Sequence, residues 1–404
     1  MITKGKAMRS NFSAFKFFKE SLLGYAFGVS GMIAGAIIAF RLDIFSGSLW
    51  SIAVYPAILS ARGIIGGLFS GRLSTALHLG TVLPRFFKNT GTFRVLLGAI
   101  FTITFEVGVI MSLFTTIFCN ILWGGSFSDF PMILGFVLAT LTLGLLIILI
   151  TLGVSFMSFK HGLDPDIFLY PAVAAISDIL MTLFYILVLS FVSYSTTFSQ
   201  WFIASLSLCL VVLVSHSLLK NFRKEDFIRT LRESFLTLII VAFVVNITGA
   251  VLRRITMSIT RESEICLVFP ALMTIVGDMG AIVGSTATTK LAVGLLSETF
   301  SGVRNHWREI FCAWTASVTM FIVFSFLSLN IRKAFTLEKF LRFTSLLLIT
   351  NTIAAAVIIL VSYTVAILTF KRGLDPDNFV IPLESVLADS ATLVALFISL
   401  SLLS

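Results

Sequence analysis

The sequence predicts an all-α polytopic membrane protein, and three observations carry that prediction. Apolar residues recur in runs of spanning length, charged residues are scarce, and the runs are joined by connections too short to hold a soluble domain. Hydrophobic residues fill 57% of the 404 positions and charged residues only 12%, whereas a soluble domain carries about 25% charged residues. The net charge of +9 falls in short loops, so it reads as an orientation signal and not as a nucleic-acid face. The four cysteines (Cys119, Cys209, Cys266, Cys312) are scattered, as are the four histidines. That pattern offers neither a disulfide framework nor metal-ligand spacing.

A helix crosses the hydrocarbon core with about 20 apolar residues. Eleven runs qualify: 21–40, 48–69, 94–118, 130–158, 167–192, 199–219, 234–252, 263–284, 307–329, 340–369 and 379–403. No small-residue cleavage site follows the first run, which is expected to be retained as a helix. The basic tail Lys4, Lys6, Arg9, Lys16 and Lys19 places the N-terminus in the cytoplasm of a multi-pass cell-membrane protein. Eleven spans then put the C-terminus outside. Arg72, Arg85, Lys88, Arg94, Lys160 and the basic stretch from Lys220 to Arg229 fall inside, as the charge rule asks. The second half obeys it less well: Arg253, Arg254, Arg261, Arg332, Lys333, Lys339 and Arg342 would lie outside.

The chain repeats itself. Gly162-Leu163-Asp164-Pro165-Asp166, Pro171 and Asp178 recur 211 residues later as Gly373-Leu374-Asp375-Pro376-Asp377, Pro382 and Asp389. Further upstream the offset is 214: Pro56-Ala57, Gly63, Gly66 and Gly80 recur as Pro270-Ala271, Gly277, Gly280 and Gly294. Residues 1–195 and 221–404 therefore read as two five-helix repeats, with 196–220 as a connecting transmembrane helix. The connecting helix makes the two copies parallel, an arrangement that places a transport site at the repeat interface.

Asp178 and Asp389 each lie inside an apolar run. A carboxylate there costs about 2.5–3.5 kcal/mol on insertion scales, so it usually marks a site. Pro171 and Asp178, like Pro382 and Asp389, stand seven residues apart and share a helix face. The small neighbours Ala174, Ala175 and Ser385 leave room for an ion or its waters. The competing reading is a structural acid paired with an intramembrane arginine. Asp164 and Asp375, each followed by Pro, read as helix N-caps, or else as an acidic vestibule.

The second run of each repeat is rich in glycine: Gly63-Ile64-Ile65-Gly66-Gly67 in one copy, Gly277-Asp278-Met279-Gly280 in the other. Glycine and proline at membrane depth suit either close helix packing or a water-lined cavity. Asp278 adds a third buried carboxylate where the first copy has Ile64. Arg62 is a positive charge on the same stretch that either neutralises one of Asp178, Asp278 or Glu106 or snorkels toward the interface. Glu106, deep in the third span, is either that partner or an ion-path residue. Ser74, Thr75, Thr288 and Thr289 are candidate oxygen ligands near a pathway mouth, or helix continuations with back-bonded hydroxyls. His78 reads as structural.

On these residues a resemblance rests. Pro56 through Gly80, with Arg72-Leu73-Ser74-Thr75-Ala76, and the Asp-Pro-Asp motifs ending in Asp178 and Asp389, resemble the MgtE magnesium transporter family. Within it they resemble the tandem-repeat branch that includes the animal solute-carrier magnesium transporters. The resemblance covers nearly the whole chain. It implies a Mg²⁺ or other divalent-cation pathway on the axis between two fused five-helix units, with Asp178 and Asp389 as the main ion ligands. It also implies that one chain can suffice where separate units pair as a dimer, without excluding a homodimer. The family usually has Asn where this chain has Ile64 and Asp278, and Arg62 departs from its pattern.

The chemistry agrees. Mg²⁺ dehydrates reluctantly and is held by one or two carboxylates plus waters. Zn²⁺ or Cu⁺ would ask for clustered His or Cys. The expected function is therefore Mg²⁺ transport, with Asp178, Asp389 and Asp278 as metal ligands and Mg²⁺ as the transported ion. An H⁺- or Na⁺-coupled carrier of another small solute is the alternative. An intramembrane aspartyl protease fits poorly: Ile275 stands where its motif has Gly, and no Tyr precedes Asp178 or Asp389. A pure scaffold leaves several buried acids unexplained. The chain is not expected to be an enzyme.

Overall fold

The computed structural model describes residues 15–45, 48–160, 165–194, 196–258, 263–292, 294–297, 299, 302–371 and 376–403. Among these there are helices and turns and no strand. In a bilayer every backbone N–H and C=O must be satisfied internally, and a helix does so within one segment. The long helices are α1 (Phe15–Ala39, with one 3₁₀ turn at Ala26–Gly28), α2 (Ser51–His78), α3 (Gly91–Trp123), α4 (Phe130–Lys160), α5 (Pro165–Tyr194) and α6 (Thr197–Asn221). They continue with α7 (Glu225–Ser258), α8 (Ser263–Ala292), α9 (Val303–Ile331), α10 (Leu337–Lys371) and α11 (Pro376–Leu403). Each holds a stretch long and apolar enough to span a membrane, and they correspond one to one with the eleven predicted runs.

Local chemistry sets several helix ends. Thr90 caps α3 by accepting from the Phe93 N–H, and Gly124 closes the helix at φ 66°, a left-handed conformation that glycine adopts without steric cost. Thr196 caps α6 by accepting from the Ser199 N–H at 3.2 Å.

The helices fall into two compact units: residues 40–258, holding α2 to α7, and residues 1–39 with 259–404, holding α1 and α8 to α11. In the first unit α2 packs on α3, α4, α5 and α7; in the second α8 packs on α1, α9, α10 and α11. These two hubs, the second helix of each sequence repeat, are the most buried spans, at 72% each. By contrast only 17% of α6 is buried. Leu208 and Leu219 stand out from it, as suits a lipid-facing helix.

The compact units are not the repeat halves. In each unit the helix expected to open one repeat packs with the second helix expected for the other. In one unit α1 lies on α8: a Cβ added to Gly31 would come within 2.6 Å of the Ala271 Cα, and one on Gly35 would meet the Leu267 carbonyl. In the other unit α7 lies on α2, where Gly249 meets the Ala53 backbone in the same way. Gly35 and Gly249 are 214 residues apart, as are Ala53 and Leu267. The two seams thus repeat the sequence offset in space. Glycine is required at both, because a side chain would part the backbones.

Candidate functional site

The hub helices carry the unusual charges. In the α2–α7 unit, α2 presents Arg62 and α5 presents Asp178. The Arg62 guanidinium donates to the Asp178 carboxylate. The two side chains are 18% and 10% exposed, so the ion pair is largely shielded. Of the three acids that the sequence offers Arg62, the fold delivers Asp178.

The register that brings them together is set one and two turns away. Thr182 on α5 donates to the Asp178 carbonyl at 2.7 Å, so it accepts from the Tyr55 hydroxyl of α2 at 2.8 Å. Tyr185 donates to the Ser51 carbonyl at the start of α2. The Tyr55 and Tyr185 rings meet edge to face at 5.2 Å, and Phe136 of α4 closes on Tyr185 at 5.1 Å. Polar bonds inside a bilayer add modestly to packing but fix which residues face each other.

Beside the pair lies a cavity of about 50 Å³, bounded by α2, α3, α4 and α5. Gly63, Gly66 and Gly67 open its α2 wall; a Cβ on Gly66 or Gly67 would meet nothing within 4 Å. Thr151 and Ser177 line it with hydroxyls that already donate to the Ile147 and Val173 carbonyls. Such a space holds a few waters, with a fixed positive charge in its wall.

The α8 hub carries the opposite charge. The α1–α8 seam runs from Gly35 at Leu267, through Gly31 at Ala271, to Gly28 at Ile275. One turn further it reaches Tyr25 and Asp278, which interact electrostatically. Tyr25 is fully buried and donates to the Ala313 carbonyl at 3.3 Å. Asp278 makes no hydrogen bond or ion pair among the described residues. On the side of α8 toward α11, a Cβ on Gly277 would lie 3.8 Å from the Ala388 Cβ. The residues next in sequence are Asp278 and Asp389. Asp278 and Asp389 therefore stand at one level on neighbouring helices of the same unit, and both are half-buried.

Glu106 on α3 has a carboxylate oxygen buried without a hydrogen-bond partner, and it is not the partner of Arg62. Thr288 donates to the Gly284 carbonyl at 2.9 Å, the back-bonded arrangement of a helix continuation. The side chains of Ser74, Thr75, His78, Thr289, Pro171 and Pro382 lie outside the described residues, as do Asp164 and Asp375. Among the described residues no three His, Cys, Asp or Glu side chains form a metal cage. Tyr25 and Thr182 escaped the sequence reading. The glycine spacing 24, 28, 31, 35 was the visible sign that α1 makes a close seam.

A family model described as a divalent cation transporter matches the chain twice, over residues 55–188 and 269–399. The two matched segments begin 214 residues apart and end 211 apart, the same offsets as the internal repeat. No curated protein and no solved structure matches the chain.

Proposed function

The chain belongs to the MgtE family of divalent cation transporters, and on that premise we propose that it carries Mg²⁺ across the membrane as a hydrated ion held by Asp278 and Asp389. One observation supports this most. The contact of Gly277 with Ala388 sets the two acids at one level on adjoining helices, and Asp278 has no hydrogen bond or ion pair among the described residues.

A buried carboxylate without a partner is costly. A divalent cation bound at Asp278 offsets that cost, with the Asp389 carboxylate as a second oxygen ligand. Mg²⁺ prefers octahedral oxygen coordination and keeps most of its waters, so one or two carboxylates suffice. Both acids are half-buried and neither is fully sealed by protein. Among the described residues no cluster of His and Cys offers a site to softer metals. Asp178, which the sequence sets beside the other two acids as a ligand, is left out of the ligand set in this proposal because Arg62 holds its carboxylate. The ion enters or leaves with the N-terminus on the cytoplasmic side, as the basic residues before α1 ask.

The test is Mg²⁺ flux into liposomes containing the full-length protein, read by an internal Mg²⁺ dye, with Na⁺ and pH gradients varied separately. Mg²⁺ flux is expected, and Asp278→Asn and Asp389→Asn should each lower it at least tenfold at equal protein content. Full flux in both variants would remove these acids from the site. Flux of an organic solute driven by H⁺ or Na⁺, with none of Mg²⁺, would replace the reading with a coupled carrier.

A further inference from the structure

The duplicated sequence supplies two equivalent half-sites. In one, Gly63 on α2 and Ser177–Asp178 on α5 correspond, through the 214 and 211 offsets, to Gly277 on α8 and Ala388–Asp389 on α11 in the other. Two substitutions of opposite sign break that equivalence. Arg62 stands where the second copy has Val276, and Asp278 stands where the first copy has Ile64. The first half-site thus holds one carboxylate paired with a guanidinium, and the second holds two carboxylates, Asp278 and Asp389.

We propose that Arg62 is a tethered counter-ion that closes the first half-site to divalent cations, leaving one carboxylate-built ion site per chain. This inference rests on the reading of Asp278 and Asp389 given above. Four observations carry it. The guanidinium donates from Nη2 to the Asp178 carboxylate, an oxygen that a hydrated ion or its waters would otherwise use. Arginine cannot relinquish its charge by deprotonation, as a lysine can when buried. The pair is largely shielded, so an ion that displaced Arg62 would strand a guanidinium beside a divalent charge at low effective dielectric. The adjoining cavity is walled by glycines and by hydroxyls whose protons are already donated, which is the space an ion and its waters would take were Arg62 absent.

The experiment counts bound Mn²⁺, a spectroscopic substitute for Mg²⁺, on the purified full-length protein by the loss of the free-ion EPR signal. The wild-type protein should bind one Mn²⁺ per chain, and Asp178→Asn should leave that count unchanged. Arg62→Met should raise it to two, and adding Asp178→Asn to Arg62→Met should return it to one. A wild-type count of two that falls to one in Asp178→Asn overturns the proposal without any Arg62 variant, so a poorly folding Arg62→Met does not shelter it. An Arg62→Met count of one in folded protein also overturns it. A wild-type count that does not change in Asp389→Asn or Asp278→Asn is a different result: it refutes the underlying site, whatever Arg62 does.

Discussion

Gly35 lies so close to Leu267 that a single added carbon on Gly35 would strike the Leu267 carbonyl oxygen. This contact joins the first helix of one repeat to the second helix of the other, and Gly249 against Ala53 reproduces it in the second seam. Gly35→Val and Gly249→Val should each destabilise the protein by about 1–3 kcal/mol, the usual cost of overpacking. Gly66→Ala and Gly67→Ala, where the added carbon meets nothing within 4 Å, should be neutral or mildly stabilising by up to about 1 kcal/mol. Thermal unfolding in detergent, followed by tryptophan fluorescence, would rank the four; equal behaviour would mean that the seams are looser than described.

The Arg62–Asp178 pair predicts a non-additive pattern. Arg62→Met alone strands a buried carboxylate and should cost about 3–5 kcal/mol. Combining it with Asp178→Asn removes the stranded charge and should recover most of that loss. Strict additivity in the unfolding data would show that the two groups do not interact.

Asn246 on α7 accepts from Thr115 on α3 at 2.7 Å, and both are buried. Asn246 also donates to the Ala242 carbonyl. Thr115→Val should cost roughly 0.6–1.7 kcal/mol, the range for hydrogen bonds between membrane helices. Mg²⁺ flux per folded molecule should not change, since this bond belongs to the packing of α7. A drop in flux at equal folded content would tie α7 to the transport step.

The divalent ion should itself stabilise the fold. With Mg²⁺ at about 100 times its dissociation constant, the gain is roughly 2.7 kcal/mol. That gain should vanish in Asp389→Asn and persist in Asp178→Asn. A Mg²⁺-induced shift in melting temperature that survives Asp389→Asn would point to ion binding elsewhere.

Much of this was readable from the chain, for a physical reason. Hydropathy reports each helix against lipid, so all eleven spans could be found without knowing any partner. The cost of burying charge likewise singled out Arg62, Asp178, Asp278 and Asp389 without a fold. What hydropathy does not encode is which helix meets which. Glycines at 28, 31 and 35 announce a close approach but are blind to its target. Contiguous repeats, 1–195 and 221–404, therefore gave no sign that α1 joins the unit of α8. Arg62 posed the same problem on a smaller scale: Asp178, Asp278 and Glu106 were equal candidates by cost. The bonds from Tyr55 to Thr182 and from Tyr185 to Ser51 help set the register that chooses Asp178.

The exchanged first helices bear on how the protein is made. α1 leaves the ribosome well before α8, which begins at Ser263, roughly 220 residues after α1 ends at Ala39. At about 5–20 residues per second, the glycine face of α1 waits some ten to forty-five seconds among lipids before the surface it fits has been synthesised. A nascent chain cut short before α8 leaves α1 without its groove, and a fragment beginning after α1 leaves α8 with a vacant one. The unit of α1 and α8 to α11 is therefore completed only after α8 has been made, from helices that lie far apart in the chain.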